Sequence, residues 1–245
     1  TIHVVDAVVE SHEGMRDVLP SRELIADSVE VMVRAHQFDG MVLIAGGDKV
    51  VPGMVMAAAR LNIPSIVFYG GVTGSGQYKG KTIRLEEMWE AIGAFRDGKI
   101  SEADLQGLED NAFPNFGGGA SCYTGNTMAM LTEAMGMAPP LTSTLTAATP
   151  FQIRAAKETG MQIMRLIESG ITSLQIMSQG ALHNAIRTSV AIGGSTNSVL
   201  HMLAIAKEAG VELELDDFET ISMSTPYISH LGPSGPYILQ QLHDA

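Results

Sequence analysis

The apolar positions of this chain change period several times, and each change marks an element. "MVLIA" at 41–45 and "SIVFY" at 65–69 are short apolar runs closed by glycine pairs, which is how buried strands read. Residues from about 53 to 61 predict a helix between them. Strand, helix and strand joined by short connections form a right-handed crossover, so the two strands are expected to lie parallel in one sheet. From Ser21, residues Ile25, Val29, Met32 and Ala35 recur at helical spacing. They predict a helix with one buried face, begun at Pro20–Ser21 and ended at Asp39–Gly40. "IHVVDAVV" near the start reads as a further strand that ends at a carboxylate, Asp6.

Farther along, "LEEMWEAIGAFR" predicts a helix closed by Gly98, and Ser101 with Asp104 predicts the capping box of the next one. Helices are also expected at about 125–137, at about 150–168, and over "SVLHMLAIAKEA", which Gly210 stops. The segments 72–84, 111–121 and 139–150 read as loops, and the tail as an interrupted helix. No internal repeat or low-complexity run is present. The pattern implies an α/β fold, a parallel β-sheet flanked by helices, as a single domain over residues 1–245.

Composition narrows the function. Twenty-seven acidic against fifteen basic residues give a net charge of −12, and no basic stripe appears, so nucleic acid is not an expected partner. No run approaches the length of a membrane span, and no membrane partner is expected. Cys122 is the single cysteine, so no internal disulfide can form and a reducing, cytoplasmic setting is expected. The seven histidines lack a metal-binding spacing such as HExxH, and Ser75 and Ser195 both miss the G-x-S-x-G elbow of hydrolases.

Three glycine-containing turns, at 46–54, 117–126 and 193–198, each lead into a helix. Helix N-termini suit a carboxylate or phosphate, and in α/β sheets ligands bind beyond the carboxyl ends of the strands. The alternative is that Thr124, Ser195 and Thr196 merely cap their helices. Asp48 and Lys49 stand side by side just after the strand 41–45, which fits either a local ion pair or a metal or anion site. If the strands that precede Asp6 and Asp48 are neighbours, both carboxylates reach one edge, and two carboxylate oxygens suit Mg2+.

Longer stretches go further. "DAVVESHEGMRDVLPSRELIADSVE", "GGDKVVPGMVMAAARLNIPSIVFYGG", "YTGNTMAMLTEAMGM", "IGGSTNSVLHMLAIAKEAGVELELDDFETIS" and "YISHLGPSGPYILQQLHDA" together resemble the dihydroxy-acid and sugar-acid dehydratase family over essentially the whole chain. The resemblance implies the N-terminal domain of a hydro-lyase that converts a 2,3-dihydroxy acid or sugar acid to a 2-keto acid, with an iron–sulfur cluster beside Mg2+. It implies Asp6, Asp48 and Lys49 as metal ligands, with Lys49 carbamylated in some members and the catalytic candidate here. Ser195 and Thr196, in the Gly-Ser-Thr-Asn turn, become substrate contacts. The family's amino-acid-biosynthetic or sugar-acid role and a homodimer are implied as well.

The chain departs from the family at the cluster. Where the family reads Gly-Cys-Asp-Lys, this chain has Gly46-Gly47-Asp48-Lys49, and the two later cysteine positions fall on Phe113 and Gly119. Glycine cannot ligate iron, and one thiol cannot hold a cluster that takes three or four. The family's first cluster cysteine would precede residue 1, and its C-terminal β-barrel domain would follow residue 245. Two expectations result: a dehydratase relative with weak or no dehydration by this chain alone, or a non-catalytic domain that binds a hydroxy acid or a partner subunit.

Overall fold

The computed structural model describes residues 3–10 and 12–245. Strands β1 (Met41–Ala45) and β2 (Ser65–Tyr69) pair parallel with Met41 opposite Ser65 and Ala45 opposite Tyr69, as the crossover pattern predicts. Helix α3 (Val50–Leu61) connects them and is buried over nearly its whole length, because it lies between the sheet and two further helices. One is α2 (Val18–His36) and the other α10 (Asn197–Ala209). Gly53 permits the α2 contact: a methyl there would lie 2.7 Å from the Arg22 carbonyl oxygen and 3.0 Å from the Ile25 side chain.

The remaining helices wrap this centre. They are α1 (Asp6–Val9), α4 (Leu85–Arg96), α5 (Glu102–Asn111), α6 (Thr124–Ala134), α7 (Pro150–Ser169), α8 (Ser173–Ile176), α9 (Gln179–Ile192), α11 (Leu215–Met223) and α12 (Leu239–Asp244). A 3-10 turn, Glu13–Asp17, leads into α2. Helix α7 packs on the sheet, while α6 packs against α9 and α3. The core is rich in methionine and alanine, with Met56, Met128, Met137, Met177 and Met202 all fully buried.

Several expectations need correction. The strand read over "IHVVDAVV" is not formed among the described residues; Ile2 lies outside them. Residues 3–5 are irregular and Asp6 opens α1, where an acidic side chain suits the helix dipole. No residue of α1 is buried, so the segment gains nothing from joining the sheet. Helix α2 starts three residues early, and its buried set is Val18, Ser21, Ile25, Ala26, Val29 and Val33, while Met32 and Ala35 face solvent. The loop expected at 72–84 holds a hairpin, β3 (Gly76–Tyr78) with β4 (Lys81–Ile83). Lys79 and Gly80 make its two-residue turn, both with positive φ, as primed turns require. Helices α8, α9 and α11 fall where the sequence pattern named no element.

Candidate metal centre

The parallel pairing brings the carboxyl ends of β1 and β2 together, and Gly70 N–H donates to the Ala45 carbonyl across them at 2.7 Å. Each strand then turns on glycines, Gly47 at φ +94° and Gly71 at φ +93°. These conformations favour glycine and turn the chain sharply toward α3 on one side and the 72–84 hairpin region on the other. The start of α6 comes up to the same rim: a methyl on Gly125 would lie 3.1 Å from the Gly47 carbonyl carbon. Tyr69 locks the approach by donating to Asn126 Oδ1 at 2.7 Å, while Asn126 Nδ2 donates to the Gly119 and Ser121 carbonyls.

Asp48 follows this turn and is only 4% exposed. Lys49 Nζ, also buried, donates to its Oδ2, so the ion pair read from the sequence is formed. Its Oδ1 is buried without a hydrogen-bond partner. Burial pushes the Asp48 carboxyl up to about 6; Lys49 opposes the rise, and the negative charge of the nearby Asp6 adds to it. Asp6 and Asp48 therefore meet, although Asp6 reaches the rim from a helix rather than a strand. Tyr69 is pushed well above its ordinary range by burial, and then by Asp48 and Asp6.

Behind Lys49 lies His201 of α10, fully buried. Arg22 Nη1 lies 3.2 Å from its Nδ1, and since a guanidinium can only donate, Nδ1 accepts and Nε2 carries the hydrogen. Nε2 has no partner. Burial, then the positive charges of Lys49 and Arg22, push the imidazole down to about 3, so it is neutral.

The turn at 193–197 joins the site through hydroxyls. Ser195 Oγ lies 2.6 Å from Thr124 Oγ1, and Asn197 Nδ2 donates to the same Thr124 oxygen at 3.0 Å. Ser195 thus ties its turn to the start of α6, Thr196 is exposed and caps nothing with its side chain, and Asn197 lines the cavity. That cavity, about 660 Å3, is lined by Asp6, Asp48, Lys49, Tyr69 and Asn197 among others. Tyr69, Asn126 and His201 carry no motif in the sequence, whereas Asn197 belongs to the Gly-Ser-Thr-Asn turn named there. Of the three, Tyr69 alone carried a signal, since it ends a strand before a glycine pair as Ala45 does before Asp48.

A family model described as "Dihydroxy-acid/6-phosphogluconate dehydratase N-terminal" matches residues 1–245. The chain belongs to that family. Dihydroxy-acid dehydratases of Sulfurisphaera tokodaii and Halothermothrix orenii are each 49% identical to it, over 98% and 99% of the chain. That of Pyrococcus abyssi is 47% identical over 100% of it. The chain spans only 43–44% of the length of these curated relatives.

The family implies Mg2+ and an iron–sulfur cluster, and the residues answer differently to each. Among the described residues no group of three or more His, Cys, Asp and Glu converges as a ready-made metal cage. The Asp6–Asp48 pair with its orphaned oxygen nevertheless fits Mg2+, which is commonly held by one or two carboxylates with water and ligand oxygens. The cluster does not fit. Cys122 is buried, its thiol lies 3.4 Å from Thr127 Oγ1, and burial pushes it up, away from the thiolate that iron requires.

Proposed function

We propose that this chain binds a divalent cation, in the first place Mg2+, and presents it to a small hydroxy acid as part of a dehydratase. The reaction is removal of water from a 2,3-dihydroxy acid or sugar acid to give a 2-keto acid. One observation carries the reading: Asp48 Oδ1 is buried, unpaired and beside the Asp6 carboxyl. Two carboxylates that line one cavity and feel each other's charge repel unless a proton or a cation lies between them. Asp6 and Asp48 would hold the ion, and Lys49 would complete its surroundings.

When bound, Mg2+ supplies Lewis acidity to the carboxylate and 2-hydroxyl of the ligand, which makes the C2 proton easier to remove. The protein's own part is orientation and exclusion of water. Lys49 Nζ fixes the Asp48 carboxylate through Oδ2, so Oδ1 is the oxygen that would hold the ion, and Lys49 can hold or pass a proton at Nζ. Tyr69 and Asn126 keep the rim rigid. Ser195, braced by Thr124, and Thr196 are the proposed ligand contacts, although of their turn only Asn197 lines the cavity. The exposed apolar side chains Ile44 and Ile153 support a homodimer, and the lone cysteine supports a reducing, cytoplasmic setting.

A second reading is favoured by Gly47 and Gly119: a hydroxy-acid-binding or partner-binding domain without turnover. Loss of the 3-hydroxyl needs an acid, and the glycines leave no iron to serve as one. Calorimetric titration of Mg2+ into the wild type and Asp48→Asn tests cation binding, and a keto-acid assay with branched dihydroxy acids and gluconate tests turnover. Binding with turnover supports the dehydratase reading, and binding without turnover the second. A wild type that takes up neither Mg2+ nor a hydroxy acid overturns both.

A further inference from the structure

The glycines at the two cluster positions are not gaps in the wall. A Cβ on Gly47 would begin 2.7 Å from His3 Nε2 and 3.2 Å from His3 Cε1, inside contact distance. A Cβ on Gly119 would begin 3.3 Å from Cδ2 of the Tyr123 ring. Phe113, at the remaining position where the resemblance expects cysteine, lines the same cavity as His3 and Tyr123. Tyr123 is itself held in place by an edge-on packing against Trp89, with ring centroids 5.8 Å apart. Gly47 also has φ +94°, a backbone conformation that cysteine adopts only under strain.

We propose that this chain has lost the iron–sulfur cluster of its family and that His3 and Tyr123 now occupy the space into which thiolates at 47 and 119 would reach. The volume is refilled rather than emptied, so the cavity presents a carboxylate pair facing an imidazole and an aromatic wall. Restoring the thiols alone is expected to leave the cluster unformed unless the His3 ring, 2.7 Å from a Cβ at 47, moves aside. The inference concerns iron only, and it stands or falls whether or not the cavity takes a hydroxy acid.

The test is chemical. The protein is purified without oxygen, reconstituted with ferrous iron and sulfide, and analysed for iron, acid-labile sulfide and visible charge-transfer absorbance. The wild type is expected to be colourless with iron far below one cluster per chain; stoichiometric iron and sulfide would overturn the proposal. The Gly47→Cys/Phe113→Cys/Gly119→Cys variant is then compared with the same variant carrying His3→Ala, each checked for fold by circular dichroism. Cluster uptake only after His3→Ala supports the role of His3, and equal behaviour of the two folded variants, with or without a cluster, removes it. Should the multiple variants not fold, Gly47→Cys in a Cys122→Ser background gives the answer with a small alkylating reagent. Alkylation several-fold faster once His3→Ala is added is the expected result; an unchanged rate rejects the shielding by His3.

Discussion

The carboxyl groups of Asp6 and Asp48 meet at the mouth of β1, one from the start of a short exposed helix and the other from a buried turn. Because they are like charges, Asp6→Asn removes repulsion together with a metal oxygen. The apo variant is expected to melt at or above the wild-type temperature, while its Mg2+ affinity falls by about tenfold or more, roughly 1.4 kcal/mol. Thermal melts with and without Mg2+ check both halves, and a variant that loses stability without losing affinity would reject the shared site.

The same pair sets a pH signature in the absence of metal. The folded carboxyl of Asp48 sits near 6, above its ordinary 3.8, so between these values the folded state binds more protons than the unfolded one. Stability contributed by Asp48 therefore falls as pH rises through that window. Asp6→Asn weakens one cause of the rise, so subtracting its stability-versus-pH curve from that of the wild type is expected to give a falling difference between about pH 4 and 6.

His201 acts in the opposite sense. Its folded value near 3 lies below the ordinary 6.5, so the unfolded chain binds the extra proton between them and stability is lost as pH falls below 6.5. The slope approaches about 1.4 kcal/mol per pH unit for one proton. His201→Gln keeps a polar side chain but cannot titrate, and chemical denaturation from pH 4 to 7 is expected to show a flatter acid limb. An unaltered limb would mean that His201 is not neutral in the fold.

Gly53→Ala separates helix propensity from packing. In an exposed helix interior the substitution stabilises by about 1 kcal/mol. Here the methyl would meet the Arg22 carbonyl at 2.7 Å, so a loss of about 1–3 kcal/mol is expected by denaturant titration.

Tyr69→Phe leaves Asn126 Oδ1 buried without its donor. The expected cost is about 1–3 kcal/mol. The rim between β2 and α6 should loosen as well, read as faster amide exchange at Gly118 and Cys122, whose N–H groups bond Gly71 and Gly232 next to the carbonyls that Asn126 holds.

Much of the scaffold was legible in the sequence. β1, β2 and their parallel pairing follow from two apolar runs bounded by glycine, and α7, α10 and the Gly210 stop from unambiguous helical periods and caps. Asp48 beside Lys49 was visible as a charged pair at a strand end. The hairpin at 76–83 was missed because strands of three residues carry too little alternation, and only Lys79–Gly80 marked its turn. α1 reads as a strand in the sequence because "VVDAVV" has strong β propensity, which counts for little in a helix none of whose residues is buried.

The sequence by itself determined the alternation of strand and helix, the acidic and cysteine-poor chemistry, and the kinship that makes Asp6, Asp48 and Lys49 candidates. Only the tertiary structure decided that Asp6 reaches Asp48, that Asp48 keeps one oxygen unpaired, that His201 lies neutral behind Lys49, and that His3 covers Gly47. The physical reason is common to all four. Local pattern records which face of an element is buried, whereas desolvation, repulsion and filled volume depend on which elements meet, and those meetings join residues far apart in the chain.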